Sequence, residues 1–263
     1  MRLLPERRWL RVLLGVAAVL AVVLYGKWRD VTNRGGQQYA EPFRIAGNLY
    51  YVGANDATSF LLTGPEGHVL IDGGYPGTAP MIIASIAELG FDIADVKVLL
   101  NSHSHFDHAG GLAALQEASG AELWVSGRAA DFIAAGGAGG AFLGPFWFIS
   151  YLPIVRYPAP RVDHRFEDGA TIRLGPTELT AHVTAGHTPG CTSWSIPLRE
   201  GDRELHVVHI CGLTPHARDF GRWRKFQESL EAAEDPVEPF VDPEGYLSFI
   251  DRAEERFRAV IEE

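Results

Sequence analysis

The chain has 263 residues, of which 46% are hydrophobic and 21% charged. That balance supports a large apolar core in one or two domains and excludes a disordered chain. A formal net charge of −10, with no cluster of Lys and Arg and no Gly-rich phosphate loop, excludes nucleic acid as the expected partner.

Residues 1–30 differ in kind from the rest. Arg2, Arg7, Arg8 and Arg11 precede or open an apolar run from Val12 to Tyr25, and Trp9, Tyr25 and Trp28 stand where interfacial aromatics lie. This segment reads as a signal peptide or an N-terminal membrane anchor, a basic flank being unsuited to a buried core helix. The run is shorter than the ~20 residues of a spanning helix, although snorkelling Arg11 and Lys27 extend it. No small-x-small cleavage site follows, which favours the uncleaved anchor. Either reading places the remainder outside the inner membrane, in the periplasm or beyond. Residues 31–41, polar and Gly-containing, form a linker, and residues 42–263 form the globular domain.

Leu49–Val52, Ser59–Leu62 and Val69–Ile71 are short β-type segments separated by turns such as Gly64-Pro65-Glu66-Gly67. Asp72 ends this meander, either as a turn former or as a support for the loop described below. The spacing of Met81, Ile82, Ile86 and Leu89 predicts a helix over 80–89, ended by Gly90. Val96–Leu100 is a continuous apolar strand, 109–118 a helix, and Ala121–Val125 another buried strand. Strand, loop, helix, strand is the signature of an α/β layer.

Residues 134–158 are Gly-rich at Gly136, Gly137, Gly139 and Gly140, then aromatic through Phe142, Phe146, Trp147, Phe148 and Tyr151. The composition suits a loop closing over a substrate, and equally a packed satellite cluster or a membrane-facing patch. Thr171–Leu174 and Glu178–Val183 are strands. Cys191–Leu198 and Glu204–Cys211 read as a hairpin around 199–203, in a register that sets Cys191 opposite Cys211 and Ser193 opposite His209. A directly cross-strand bridge is strained, so buried thiols are expected there, with a disulfide as the alternative.

The chemistry is concentrated in Asn101 to Gly111, Asn-Ser-His-Ser-His-Phe-Asp-His-Ala-Gly-Gly. His103 and His105 are two residues apart, so in an extended loop both rings point to one side, as zinc ligands require. Asp107 and His108 follow too closely to complete the same tetrahedron and are placed to serve a second, adjacent metal. A further ligand is expected from another strand end, and His187, within Gly186-His187-Thr188-Pro189-Gly190, is so placed.

These residues carry a resemblance. The loop, followed by Gly-His-Thr-Pro-Gly-Cys-Thr-Ser-Trp and accompanied by Leu70-Ile71-Asp72-Gly73-Gly74 and Tyr50-Tyr51-Val52-Gly53, resembles the metallo-β-lactamase superfamily, and within it subclass B3. The resemblance implies a four-layer αββα sandwich with its metals at one edge of two sheets. It implies Zn2+, two ions, with His103, His105 and His187 holding the first, and Asp107 and His108 the second. A metal-activated hydroxide would open the β-lactam ring of an antibiotic, with Asp107 also orienting the nucleophile. Related hydrolases of the same fold act on lactones and thioesters, since the fold does not choose among activated carbonyls.

The resembled enzymes take a further second-zinc histidine from a strand after a late helix. Tyr246 to Glu263 looks like that helix, and the sequence ends there, so the second site is expected to be incomplete and the sandwich short at its C-terminus. Cys211 is the substitute ligand to consider, thiolate being a good zinc ligand; His216 follows the hairpin too directly. An inactive zinc-binding domain is the reading that this gap would favour. His68, His164, His182 and His206 are expected to be surface or strand residues.

Overall fold

Strands buried on both faces need an apolar partner on each side, and that need decides the architecture. The computed structural model describes residues 8–34, 36–139, 151–152, 155–185 and 187–212, except for the side chains of residues 8–12 and 27–34. In chain order, α1 (Arg8–Arg34) is followed by the antiparallel strands β1 (Phe43–Ala46), β2 (Leu49–Tyr51), β3 (Phe60–Leu62) and β4 (His68–Ile71). Helix α2 (Ala79–Glu88) crosses to β5 (Val96–Leu100). Helices α3 (Phe106–Ala109) and α4 (Leu112–Ser119) cross to β6 (Glu122–Ser126), and α5 (Ala130–Ala134) precedes β7 (His164–Phe166). From β4 to β7 the pairing is parallel. Then β8 (Thr171–Leu174), β9 (Thr177–Val183), β10 (Thr192–Glu200) and β11 (Arg203–His209) form an antiparallel sheet of their own.

The seven-stranded sheet runs β1 to β7 in order, and the second runs β11-β10-β9-β8. Alternate residues of the large sheet serve two cores. Leu61, Leu70, Leu99 and Leu123 pack under Ile82 and Ile86 of α2 and Leu112 and Leu115 of α4. Their neighbours Leu62, Val69, Ile71, Val98 and Leu100 meet Leu179, Ala181, Trp194 and Ile196 of the second sheet. The helical crossovers cover one face and leave the other for the second sheet. This is the expected two-sheet α/β fold. The described residues make up helices, sheet and sheet. The helix expected at Tyr246–Glu263, His216, and Gly140, Phe142, Phe146, Trp147 and Phe148 lie outside the described residues.

Two expectations change. The helix read over 109–118 is divided into α3 and α4 at Gly110-Gly111, where the chain after β4 approaches so closely that a Cβ on Gly111 would lie 2.2 Å from the Gly73 carbonyl oxygen. The break brings the end of β4 against the helices. The hairpin register also slips by one: Trp194, not Ser193, pairs with His209, and the two-residue turn Gly201-Asp202 joins Glu200 to Arg203. Gly201 has φ +62°, suited to a tight hairpin of this kind. A symmetric five-residue loop centred on Gly201 cannot produce that pairing.

Helix α1 exposes its apolar side chains, with Leu14 at 62% and Val22 at 70%. Among the described residues no helix is long and apolar enough to cross a membrane.

Leu99 is fully buried in the central strand that leads to the histidine loop. Leu99→Ala should lower unfolding stability by about 2–5 kcal/mol. A lower denaturant midpoint at unchanged slope checks this; an unchanged midpoint refutes the packing described.

Candidate metal centre

The site lies where β4, β5, β9 and β11 end and β10 begins. Strand β5 delivers Asn101-Ser102-His103-Ser104-His105, all five buried, and His105 begins α3, its carbonyl accepting from the His108 and Ala109 amides. His187 follows β9. The structure brings His103, His105 and His187 together: His187 Nε2 is 3.0 Å from His105 Nδ1 and 3.0 Å from His103 Nε2. Three imidazole nitrogens packed at that spacing need a cation between them or shared protons. About 3.3 Å is the edge of a tetrahedron built on a ~2.0–2.1 Å zinc–nitrogen bond, so the set fits zinc. A second grouping joins Asp107 and His108 to His103, with ligand atoms within 4.8 Å of one another.

Asp72 organises both groupings from beneath. It has φ +63°, among the described residues the one positive value outside glycine, and is fully buried. Its carboxylate accepts from the Ser102 amide at 2.7 Å, the Ser102 hydroxyl at 2.6 Å and Asn101 Nδ2 at 3.0 Å. His108 Nδ1 lies 2.8 Å from the same carboxylate. With its hydrogen directed there, His108 presents Nε2 on the Asp107 side, 3.8 Å from the Asp107 carboxylate. The Ser102 hydroxyl, donating to Asp72, accepts from His103 Nδ1 at 3.0 Å, which turns the His103 Nε2 lone pair toward the triad. The tautomers of two prospective ligands are thus set by one carboxylate. Both roles considered for Asp72, turn former and loop support, are present in the same residue.

Electrostatics agree for His103. Burial pushes His103 well below the ordinary histidine value, and the neighbouring histidines, His108 first, lower it further. A neutral ring with a free lone pair is the form that binds metal. Burial alone would raise Asp72, but His108 first, together with His209 and the Ser102 hydroxyl, holds it down. Burial would lower His108, and the Asp72 charge reverses the sign.

Cys211 is not available as a ligand. It forms a disulfide with Cys191, Cα to Cα 5.8 Å, and a disulfide sulfur has no thiolate to offer. The expectation of buried thiols is corrected with it. The slipped register removes the strain argument: Cys191 precedes β10 and Cys211 follows β11, so the bridge closes the chain beyond the ladder instead of crossing it. It fastens the His187 segment to the end of β11. Gly212 follows, where a Cβ would lie 2.8 Å from the His187 ring. The Thr192 amide donates to the Ser102 carbonyl at 2.8 Å, tying the second sheet to the histidine loop. Among the described residues, Asp107 and His108 gain no ligand beyond the shared His103.

His68, His164, His182 and His206 join neither grouping; His182 contacts Ser195 at 2.7 Å and His164 stacks on Trp124. Two residues that sequence reasoning did not single out hold the loop, Ser102 and Tyr157. Ser102 lies inside the motif itself, directly before His103, where a serine next to a candidate ligand hints at a supporting hydroxyl. Tyr157 has no local signal.

Comparisons with known proteins give the same picture. The Rm3 metallo-beta-lactamase is similar with 41% identity and a TM-score of 0.64, over 74% of this chain and 76% of that one. BJP-1, a subclass B3 metallo-beta-lactamase of Bradyrhizobium japonicum, matches at 27% identity and a TM-score of 0.73, over 85% of this chain and 94% of that one. Curated relatives include a hydroxyacylglutathione hydrolase of Jannaschia sp., 30% identical over 54% of this chain and 44% of that protein. They also include the N-acyl homoserine lactonase AttM of Agrobacterium fabrum, 30% identical over 53% and 59%. The chain thus spans between two-fifths and three-fifths of the length of these two relatives. The sequence description of the metallo-beta-lactamase superfamily matches residues 52–201, more than half of the chain, and the protein belongs to that superfamily.

Proposed function

We propose that this metallo-hydrolase opens the β-lactam ring of antibiotics with zinc held by His103, His105 and His187. The observation that carries this reading is the convergence of those three ring nitrogens at 3.0 Å beside Asp107 and His108, in a chain similar to solved β-lactamases over most of its described length. Bound there, zinc would polarise a carbonyl and acidify a water molecule. The protein's own residues supply the rest. Asp107, its side chain 37% exposed and grouped with the shared His103, would accept a hydrogen bond from the attacking water and fix its direction. His108 and Asp107 are the ligands available to a second ion, which would receive negative charge on the departing nitrogen. Asp72 and Ser102 keep His103 and His108 in the ligating tautomers and take no part in bond making.

A second reading is hydrolysis of a lactone or thioester, which the curated relatives favour because their names state such activities. Side-by-side turnover of a carbapenem, an acyl-homoserine lactone and a glutathione thioester decides. Carbapenem hydrolysis that requires zinc is expected; faster turnover of either other substrate assigns the second reading. No turnover of any, with zinc bound, leaves an inactive zinc-binding domain.

We also propose that the domain works outside the inner membrane, tethered through its N-terminal segment. Support comes from the basic residues before Val12, the exposed apolar side chains of 13–25, and a disulfide of the kind that persists in oxidising compartments. Cell fractionation should find the chain with membranes and accessible to protease from the periplasmic side; recovery with the cytosol would refute this.

His187→Ala should abolish zinc binding at the first site, and full zinc content with full activity would contradict the assignment. Asp72→Ala strips the partner from His108, Asn101 and Ser102 at once, and should cost about 3–5 kcal/mol of stability. Urea unfolding of the metal-free protein measures it, and a change below about 1 kcal/mol would show that the carboxylate is not the organising group.

A further inference from the structure

The Gly-rich, aromatic stretch around 134–158 suits in sequence a closing loop, a packed cluster or a membrane-facing patch, and Tyr157 within its described part is fastened to the histidine loop. Tyr157 is 6% exposed and packs in the core between the helices and the large sheet. Its hydroxyl donates to the Ser104 carbonyl at 3.0 Å. Ser104 is the residue between His103 and His105, so the peptide carrying that carbonyl links the two rings that must aim at one point. Both ends of this short segment have their own restraints: the Ser102 amide to Asp72, the Ser102 carbonyl from Thr192, and the His105 carbonyl from α3. The Ser104 side chain gives no help, its hydroxyl being buried with no hydrogen-bond partner. Rotation of the Ser104 carbonyl is therefore restrained from Tyr157.

The seat of Tyr157 is built for it. Its amide donates to the Gly136 carbonyl at 3.2 Å. Gly136 has φ +61°, and a Cβ there would lie 2.4 Å from the Tyr157 carbonyl oxygen. Gly137 has φ +84°, and its Cβ would lie 2.8 Å from Cε1 of the ring. Only glycine fits both the conformation and the space. Arg156 closes the turn, donating from Nε to the Gly136 carbonyl at 2.9 Å and from Nη2 to the Ala135 carbonyl at 2.7 Å. Burial drives the Tyr157 hydroxyl far above its ordinary value, so it stays a donor.

We propose that Tyr157 is a positioning residue for the metal centre: its hydrogen bond to the Ser104 carbonyl sets the relative aim of His103 and His105 and thereby the zinc affinity of the triad, without touching substrate. The inference rests on the zinc-site reading above. Removing an outer partner that orients ligands typically weakens metal binding by about 10–100-fold. The effect runs through metal occupancy, so lost activity should return as zinc is raised, which a purely structural role would not produce.

The test is Tyr157→Phe in the full chain, which keeps the ring and deletes the hydroxyl. Zinc affinity is read by competition with a chelator, together with unfolding of the metal-free protein and kcat and KM at low and saturating zinc. Expected are a metal-free protein that unfolds cooperatively as before, zinc affinity lower by about 10–100-fold, and kcat restored by excess zinc with KM unchanged. Wild-type affinity in Tyr157→Phe, while His187→Ala abolishes binding, overturns the inference and leaves the zinc site standing. Zinc uptake that His187→Ala does not alter overturns both. Should Tyr157→Phe not fold, Arg156→Ala loosens the seat from the surface. It should weaken zinc several-fold, and unchanged affinity there overturns the proposal equally.

Discussion

A carboxylate without access to water governs this molecule. Asp72 ends β4 in a backbone conformation that an aspartate adopts at a cost of about 1–3 kcal/mol, and it holds that conformation because four polar groups converge on it. A buried charge is tolerable only when paired and hydrogen-bonded, so the requirement runs in both directions. The carboxylate needs Ser102, Asn101 and His108 in place, and they need it. From that mutual need follow the path of the histidine loop, the tautomers of His103 and His108, and the place where ligand nitrogens gather.

The two sheets meet at this point and are fastened there by different means. The Thr192 amide on the Ser102 carbonyl joins β10 to the loop after β5. The disulfide ties the His187 segment to the end of β11, and Gly111, with no side chain, lets the end of β4 lie against the helices. None of these contacts is chemistry, yet each brings a ligand to its position. A binding centre assembled from the ends of separate strands inherits its rigidity from the sheets that carry them. The Tyr157 contact extends the same logic to another side of the loop, through a segment whose composition suits several roles.

Legibility from the sequence varied with the range of the interaction. The strands Val96–Leu100 and Thr171–Leu174 and the helix over 79–88 could be read closely, since period-two or helical apolar spacing records which faces are buried. The candidate ligands could be read because His103, His105, Asp107 and His108 are crowded into one loop and His187 stands in a distinctive turn. The hairpin register could not, because it depends on which two residues make the turn, and Gly201-Asp202 and the surrounding charged residues suit several loop lengths. That one-residue slip also decided the cysteines. A bridge expected to cross a ladder lies beyond its end, and so Cys211 serves the fold and not a metal.

What the sequence by itself determined is the α/β class, the superfamily and the inventory of candidate ligating groups, because these depend on residue type and on spacings within a few residues. What only the tertiary structure decided is which nitrogens face one another, which carboxylate supports them from beneath, and that Cys191 and Cys211 are joined. Those facts depend on residues brought together from distant parts of the chain, with separations of 36 for Asp72 and His108, 82 for His105 and His187, and 53 for Tyr157 and Ser104. No local pattern encodes such meetings, since they are set by the packing of two sheets and a layer of helices against one another.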